Sequence, residues 1–407
     1  MSKPSILLVH CFYQQAGGED EVFRREKKLL EDKGHQVQAY TLSNEVLSEM
    51  SSVQAAKNTI WNANVQTELA KLLEKVKPEI VHFHNTFPLM SPAVYYAAKK
   101  SGAAVIKTLH NYRLLCANAL FFRDHHPCED CLGKKVQWPG IVHRCYRGSV
   151  AGSAVVVGMS SIHSALGTWS QQIDRFIVLS EFAKNKFTEG GIRPEKLVIK
   201  PNFAFDTEQL APKLPNTLGD ESPYALFVGR LSEEKGILTL LKAWKEGSKA
   251  AGMTGPSLKL KIVGDGPLKS EVEKAALNSN LISYLGSQPK ERVYFLMNEA
   301  DFLVIPSVCY EGLPMVVPEA FSLGLPILAS QHGGLSALIE DGKTGWFFKP
   351  GDSSSLAKKA GALTSQSAQN LRANCRAEYE RLYSSEKNYE KLNQIYVDAL
   401  RQTQSHS

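Results

Sequence analysis

The sequence predicts an α/β protein of two doubly wound, Rossmann-like domains facing each other across a cleft. Three observations carry this. At 407 residues the chain exceeds what one ordinary core holds, so two domains are expected. Short β-rich runs alternate with helical periodicity along its length, the pattern of parallel strands covered by helices. That series stops in an irregular, proline-rich stretch at 201–223, "PNFAFDTEQLAPKLPNTLGDESP", and then begins again.

Taken in order, "SILLVHC" predicts a first strand, "QQAGGEDE" (14–21) a glycine loop, "EVFRREKKLLEDKG" a helix with a glycine stop, and "HQVQAYTL" a second strand. "PEIVHFHN", "AAVIKTLHN" and "DRFIVLSE" are further strands, each running into a polar loop. The most apolar long run is "SVAGSAVVVGMSSIHSALGTW" (149–169). Serines, glycines and His163 interrupt it, so it reads as a buried helix rather than a membrane span of about 20 apolar residues. Past the linker, "YALFVGR", "LKLKIVGDG", "ISYLG", "DFLVIPS" and "PILAS" form the second strand series, with "GILTLLKAWKEGSKA" as a helix after the first of them. "EKNYEKLNQIYVDAL" reads as a terminal helix. The expected boundaries are 1–203 for the first domain, with a cysteine-containing insert at 116–147, 204–385 for the second, and 386–407 for a helix packing back toward the first.

Composition narrows the class. With 43% hydrophobic and 22% charged residues and no low-complexity tract, the chain is globular rather than fibrous or disordered. The N-terminal apolar run is too short for a signal core, and seven cysteines without a secretion signal point to a reducing cytosol. The net charge of +6 is concentrated: Lys99 to Arg147 holds nine Lys/Arg against three Asp/Glu. Such a stretch is either a solvated basic face or a surface for an anionic partner, whether phospholipid headgroup, lipid diphosphate or nucleic acid.

Chemistry concentrates in the loops. "GRLSEEKG" (229–236) follows a strand and precedes a helix. Gly229 permits close backbone approach, and Arg230 and Lys235 bring two cations to one loop, enough to neutralise a diphosphate. An ordinary capped helix start is the plainer reading. "VGDGPLKSEVE" lacks the third glycine of a dinucleotide fingerprint, Lys269 standing in its place, so a tight turn is preferred. In the first half, Gly17 and Gly18 precede a helix and His110 sits at a strand's end, where an acid, base or hydroxyl-binding group would be placed. "YEGLPMVVPE" (310–319) sets Glu311 and Glu319 eight positions apart around an apolar stretch with two prolines.

These segments occur together and in order: "GGED", "LHN", "VGRLSEEKG", "VGDGP", "ADFLVIPS" and "EGLPMVVPEAFSLGLPILAS…GG…GKTGWFF". The series closely resembles the family 4 glycosyltransferases, retaining enzymes of the GT-B fold, across nearly the whole chain. The resemblance implies transfer of a sugar from a nucleoside diphosphate sugar to an acceptor hydroxyl, with no bound metal in catalysis. It implies Glu311 beside the transferring sugar, Glu319 on the ribose hydroxyls, and the backbone of Gly312, Leu313, Pro314 and Met315 facing sugar and diphosphate. Arg230 and Lys235 would supply the positive field on the leaving diphosphate. Gly18, with Gly17, would lie near the diphosphate, and His110 near sugar and acceptor. Many relatives carry Asn-Gly-Val-Asp between the domains where this chain has "PNFAFD" (201–206), so no role is borrowed for those residues.

The insert "CANALFFRDHHPCEDCLGKKVQWPGIVHRC" (116–145) raises a separate expectation. Cys116, Cys128, Cys131 and Cys145, with His125, His126 or His143 as substitutes, have spacing compatible with a structural zinc; reduced buried thiols are the alternative. Two other functions share parts of these features: a GT-B-fold sugar-nucleotide epimerase or phosphorylase, and a zinc-knuckle nucleic-acid-binding protein. The first lacks support from the paired glutamates. The second leaves the whole second half unused and finds no exposed aromatic stripe, so nucleic acid is not an expected partner. The expected acceptor is a glycan or a lipid-linked glycan in cell-surface polysaccharide synthesis, reached from the cytoplasm, with the basic stretch giving at most peripheral contact with an anionic membrane.

Overall fold

The computed structural model describes residues 3–15, 17–207, 223–247 and 256–405. Most of the expected linker, from 208 to 222, lies outside them, as does the tail of the helix expected at 236–250. The chain forms two compact units: one of residues 1–121, 129–201 and 388–407, the other of 122–128 and 202–387.

The first unit holds a six-stranded sheet, all parallel. Its strands are β1 (Ile6–Phe12), β2 (Val37–Ser43), β3 (Ile80–Phe83), β4 (Ala104–Leu109), β7 (Arg175–Val178) and β8 (Leu197–Ile199), in the order β2-β1-β3-β4-β7-β8. A two-residue-per-strand hairpin, β5 (Phe122–Arg123) and β6 (His126–Pro127), interrupts the series within the insert and belongs to the second unit. β3 and β4 are buried at every position, as strands covered on both faces must be. Edge strand β2 has only exposed and half-buried positions. The apolar run at 149–169 is a helix, Val150–Ala165, and no described helix is long and apolar enough to cross a membrane.

The terminal helix, Ser385–Ser405, closes the first unit's core. Leu392, Ile395, Tyr396 and Ala399 pack with Ile6, Leu8, Ile80 and Ile106 from β1, β3 and β4. An apolar stripe at i, i+3, i+4 and i+7 has nowhere stable to go except against such a sheet.

The second unit repeats the architecture with a different winding. Strands β9 (Tyr224–Val228), β10 (Lys259–Val263), β11 (Ile282–Tyr284), β12 (Phe302–Ile305), β13 (Ile327–Ser330) and β14 (Gly345–Phe348) run parallel in the order β11-β10-β9-β12-β13-β14. Strand order reverses between β9 and β12 here, and between β1 and β3 in the first unit. The loops leaving the carboxyl ends of each such pair diverge and open a crevice, where open α/β sheets bind ligands.

Candidate active site

At the β9/β12 crossing the two motifs singled out in the sequence meet. Residues 229–236 leave β9, and residues 306–315 leave β12 and lead into the short helix Val316–Ser322. Lys235 Nζ donates to Glu311 Oε1 at 2.5 Å, and Ser307 Oγ donates to the same oxygen at 2.6 Å. Burial pushes the Glu311 carboxyl up, but the Lys235 ammonium and these two hydrogen bonds outweigh it and hold the group below its usual range. The Lys235 ammonium is correspondingly stabilised: burial acts against it, and Glu311 overrides that. The pair is a fixed ammonium–carboxylate at the mouth of the crevice. Arg230 is exposed and its guanidinium has no partner among the described residues.

Backbone contact builds this loop pair, which explains its glycines. Gly236 has φ +71°, and a Cβ there would lie 1.8 Å from the Pro306 carbonyl oxygen, so only glycine lets the two loops touch. A Cβ on Gly334 would come within 2.3 Å of the Glu311 carbonyl oxygen. "VGDGP" proves to be a support for the Arg230 loop: Gly229 N–H donates to Val263 O, Leu231 N–H to Asp265 O, and Leu268 N–H to Leu231 O. Pro314 precedes the helix Val316–Ser322 and Pro318 lies in its first turn, where a missing N–H costs least. Glu319 is on the same helix and buried, and Leu313 is buried while Gly312 and Pro314 are half-buried.

Three supports here were not singled out from sequence. Ser307, within "ADFLVIPS", positions Glu311; His332 Nε2–H holds the Ser307 carbonyl at 2.7 Å. Asn202 Nδ2 donates to Leu313 O at 3.0 Å, so "PNFAFD" braces the glutamate loop from below. In the same stretch Asp206 receives a two-pronged contact from Arg376, at 3.0 and 2.7 Å.

In the first unit, His110 lines a cavity with Glu19, His84, Asn111 and Trp169. Gly17 and Gly18 do not line it: Gly18 opens the helix Gly18–Asp32 and Gly17 N–H is taken by Asp20. The chemistry behind His110 is a buried chain of polar groups. Lys200 Nζ lies 2.8 Å from Glu26 Oε1, Glu26 Oε2 lies 3.4 Å from His84 Nε2, and His84 Nδ1 lies 3.0 Å from His110 Nε2. Burial, reinforced by neighbouring cationic groups, drives the pKa of both imidazoles well below the histidine range, so both are neutral. His84 Nε2 faces the Glu26 carboxylate, an arrangement that favours the tautomer with the His84 proton on Nε2 and Nδ1 as acceptor. His110 then donates from Nε2, and its Nδ1 is left as a hydrogen-bond acceptor.

Glu19 completes the cavity. Burial raises its pKa, although it accepts hydrogen bonds from Asn111 Nδ2 at 2.5 Å and Tyr13 Oη at 3.0 Å, each of which favours the carboxylate. None of Glu19, Glu26, His84 and Lys200 stood out in the sequence. Glu19 and Glu26 look like ordinary charged positions on an amphipathic helix, and Lys200 follows a three-residue strand.

The insert's thiols do not gather. Among the described residues one group of metal-capable side chains converges, Glu26, His82 and His84, and it includes no cysteine. Cys116 Sγ donates to Asn118 Oδ1 at 3.0 Å and is held as a neutral thiol by burial; Cys131 Sγ points to Gln137 O at 3.8 Å. Cys128 falls in the hairpin that belongs to the second unit, while Cys116, Cys131 and Cys145 belong to the first. Among the described residues no cysteine of the insert joins a converging set of metal-capable side chains, and two of the four thiols are turned to local oxygen acceptors instead. The Glu26–His82–His84 group is no better as an ion site. Lys200 occupies the carboxylate, and both His82 nitrogens are engaged, by Tyr396 Oη at 2.9 Å and Thr108 Oγ1 at 2.8 Å.

Comparison with known proteins agrees with this geometry. Residues 16–208 match the model for "Glycosyltransferase Family 4" and residues 213–381 that for "Glycosyl transferases group 1". The chain is 27% identical over 194 residues to an amylovoran biosynthesis glycosyltransferase of Erwinia amylovora, 46% of either chain. It is 29% identical over 187 residues to a lipopolysaccharide 1,2-N-acetylglucosaminetransferase of Salmonella typhimurium, covering 42% of this chain and 48% of that one. Over such matches the chain spans about half the length of each curated relative. Among solved structures, a glycosyltransferase from Rickettsia africae superposes with a TM-score of 0.71 at 17% identity, over 98% of this chain and 99% of that one. HepE of Anabaena, in complex with UDP and glucose, gives 0.66 at 16%, over 97% and 100%. With both halves matched by family models and two parallel-sheet units wound as described, the chain belongs to the group 1, family 4 glycosyltransferases of GT-B fold.

Proposed function

We propose that this protein transfers a glycosyl group from a nucleoside diphosphate sugar to a hydroxyl of a glycan or lipid-linked acceptor, with retention at the anomeric carbon and without a catalytic metal, in cell-surface polysaccharide synthesis. The observation that carries the reading is the Lys235–Glu311 pair beside an unpartnered Arg230 at the β9/β12 crossing. A diphosphate needs fixed positive charge, and Arg230 with Lys235 supplies it where the sheet opens. Glu311, kept ionised, accepts hydrogen bonds from the transferring sugar's hydroxyls. Glu319 takes the ribose hydroxyls, and the backbone from Gly312 to Met315 faces the diphosphate.

In this reading residues 204–385 form the donor side and residues 1–203 the acceptor side. The bond from the anomeric carbon to the phosphate oxygen breaks as the acceptor oxygen bonds on the same face. The departing phosphate oxygen takes the acceptor's proton. His110 Nδ1 accepts a hydrogen bond from a hydroxyl of the transferring sugar, which leaves the acceptor's own proton to the phosphate oxygen. The relatives named for amylovoran and lipopolysaccharide synthesis support a polysaccharide acceptor. An odd number of free thiols and the basic insert support action in the cytoplasm, at the inner face of an anionic membrane.

Thermal shift with UDP, GDP, ADP, TDP and CMP tests the donor clause. One diphosphate at about 100 times its dissociation constant stabilises the wild type by about 2.7 kcal/mol, and the Arg230→Ala/Lys235→Ala variant loses the shift. No shift with any of them at millimolar concentration refutes nucleotide-sugar use.

A further inference from the structure

A second cavity in the first unit, of about 210 Å3, has a wall carrying Lys134, Lys135, Arg193 and Lys196 and no carboxylate. Exposed lysines on a convex face are solvated and need no partner. Lys196 is different: it is half-buried and its ammonium is tied down by the carbonyls of Ser170 at 2.7 Å and Ile173 at 2.6 Å, with no carboxylate of the described residues within ion-pair distance. Of the neighbouring acids, Asp174 is committed elsewhere, to Lys99 at 2.6 Å and the Val105 N–H at 2.8 Å. Glu195 stands only at the outer limit of ion-pair range from Arg193, at 3.9 Å.

Two polar groups of the same wall are also incomplete. Ser160 and Gln137 are 4% and 6% exposed, yet Ser160 Oγ and Gln137 Oε1 have no hydrogen-bond partner among the described residues. Buried polar atoms are rarely left so, and each such atom asks for a bound molecule to complete it. Gln137 is pinned by its own Nε2, which donates to Leu114 O at 2.7 Å, so Oε1 stands ready as an acceptor while the serine can donate. Leu114 and Trp169 line both this cavity and the one holding His110, so the two are separated by little more than a side chain.

We propose that this cavity is an anion-binding subsite that takes the phosphate or carboxylate of a hydroxylated acceptor, the cations holding the oxyanion while Ser160 and Gln137 meet a hydroxyl. The anion site stands on the cavity alone; that its occupant is the acceptor rests on the transferase reading above. It makes the preferred acceptor an acidic or phosphorylated sugar rather than a neutral one.

Calorimetric titration with a hexose monophosphate tests this without any turnover. The wild type and Arg230→Ala/Lys235→Ala bind it alike, whereas Lys134→Ala/Lys135→Ala/Arg193→Ala, three exposed positions whose loss does not threaten the fold, binds about tenfold or more weakly. Lys196→Met adds to that loss. Binding by the triple variant within about twofold of wild type overturns the site, since a tenfold change corresponds to only about 1.4 kcal/mol. Inorganic phosphate competing as strongly as the hexose monophosphate assigns the site to free phosphate and overturns the acceptor clause. With turnover, the triple variant raises KM for an anionic acceptor and leaves a neutral one unchanged; equal KM changes overturn that clause too. Because the titration needs no nucleotide, failure of the donor reading leaves its result intact.

Discussion

The two units have the same kind of sheet and the same kind of crossing, but they furnish it with different materials. At the β9/β12 crossing the work falls to backbone and one ion pair, assembled by loops that glycines at 236 and 334 allow to touch. At the β1/β3 crossing it falls to side chains. His84 and His110 stand on Glu26 and Lys200, and His82 on Tyr396, with the polar chain drawn from five separated segments. A loop that binds phosphates uses N–H groups every residue possesses, so its identity is written in glycines and cations. A cavity that orders a hydroxyl needs a defined tautomer, and that requires a buried network. Damage to the first crossing should therefore appear first in folding, and damage to the second mainly in chemistry.

Removing the Glu26 carboxylate breaks that contrast most severely. Glu26→Ala strands the Lys200 ammonium at 1% exposure, and chemical denaturation should show about 3–5 kcal/mol lost. Glu26→Gln/Lys200→Met, which removes both charges, should recover most of it. Equal losses in the two variants would mean that packing, not charge, holds this region.

Lys235→Met is the matching change in the second unit. Transfer rate should fall by about 10²–10³-fold while the unfolding midpoint moves little, because the pair is partly solvated. A large stability loss with little rate change would assign Lys235 to the fold.

Acid separates the units next. His82 is pushed down to about 4, mainly by burial, and His84 and His110 are also depressed, whereas the unfolded chain titrates near 6.5. Below that value the unfolded state binds more protons. The stability present above about pH 6.5 is thus lost as pH falls toward the folded values, by about 1 kcal/mol per histidine near pH 5.5. Denaturation at the two pH values should show this slope, and His82→Gln should remove its share. A slope unchanged in that variant would place the titration elsewhere.

The smallest expected effect is Asn202→Ala. It removes one hydrogen bond under the glutamate loop and should cost about 1 kcal/mol or less, with KM for the donor rising more than kcat falls. A fall in kcat alone would move Asn202 from bracing the loop to the chemistry.

How much was legible follows from sequence distance. "GRLSEEKG" and "YEGLPMVVPE" are contiguous strings whose loops the strand order places together, so the meeting of Lys235 with Glu311 follows from local patterns, and Arg230 and Glu319 are candidates from the same strings. His110 was named by position only. Its partners Glu26, His84 and Lys200 come from a helix face, a strand end and a β8 terminus, and nothing local distinguishes them from solvated charge or structural histidine. The insert points the other way: its cysteine spacing resembles a metal site, but among the described residues the thiols join no converging set, and Cys116 and Cys131 face local oxygen acceptors.

Composition, periodicity and glycine placement by themselves determined two parallel-sheet units, their strand runs and the glycine loops leaving β9 and β12, because these depend on local backbone preferences and on which short segments leave a strand's end. Only the tertiary structure decided which charges are buried together, which imidazole nitrogen is left to accept, and which lysine lacks an anion. Those depend on desolvation and on distances between residues far apart in the chain, and no local pattern encodes either.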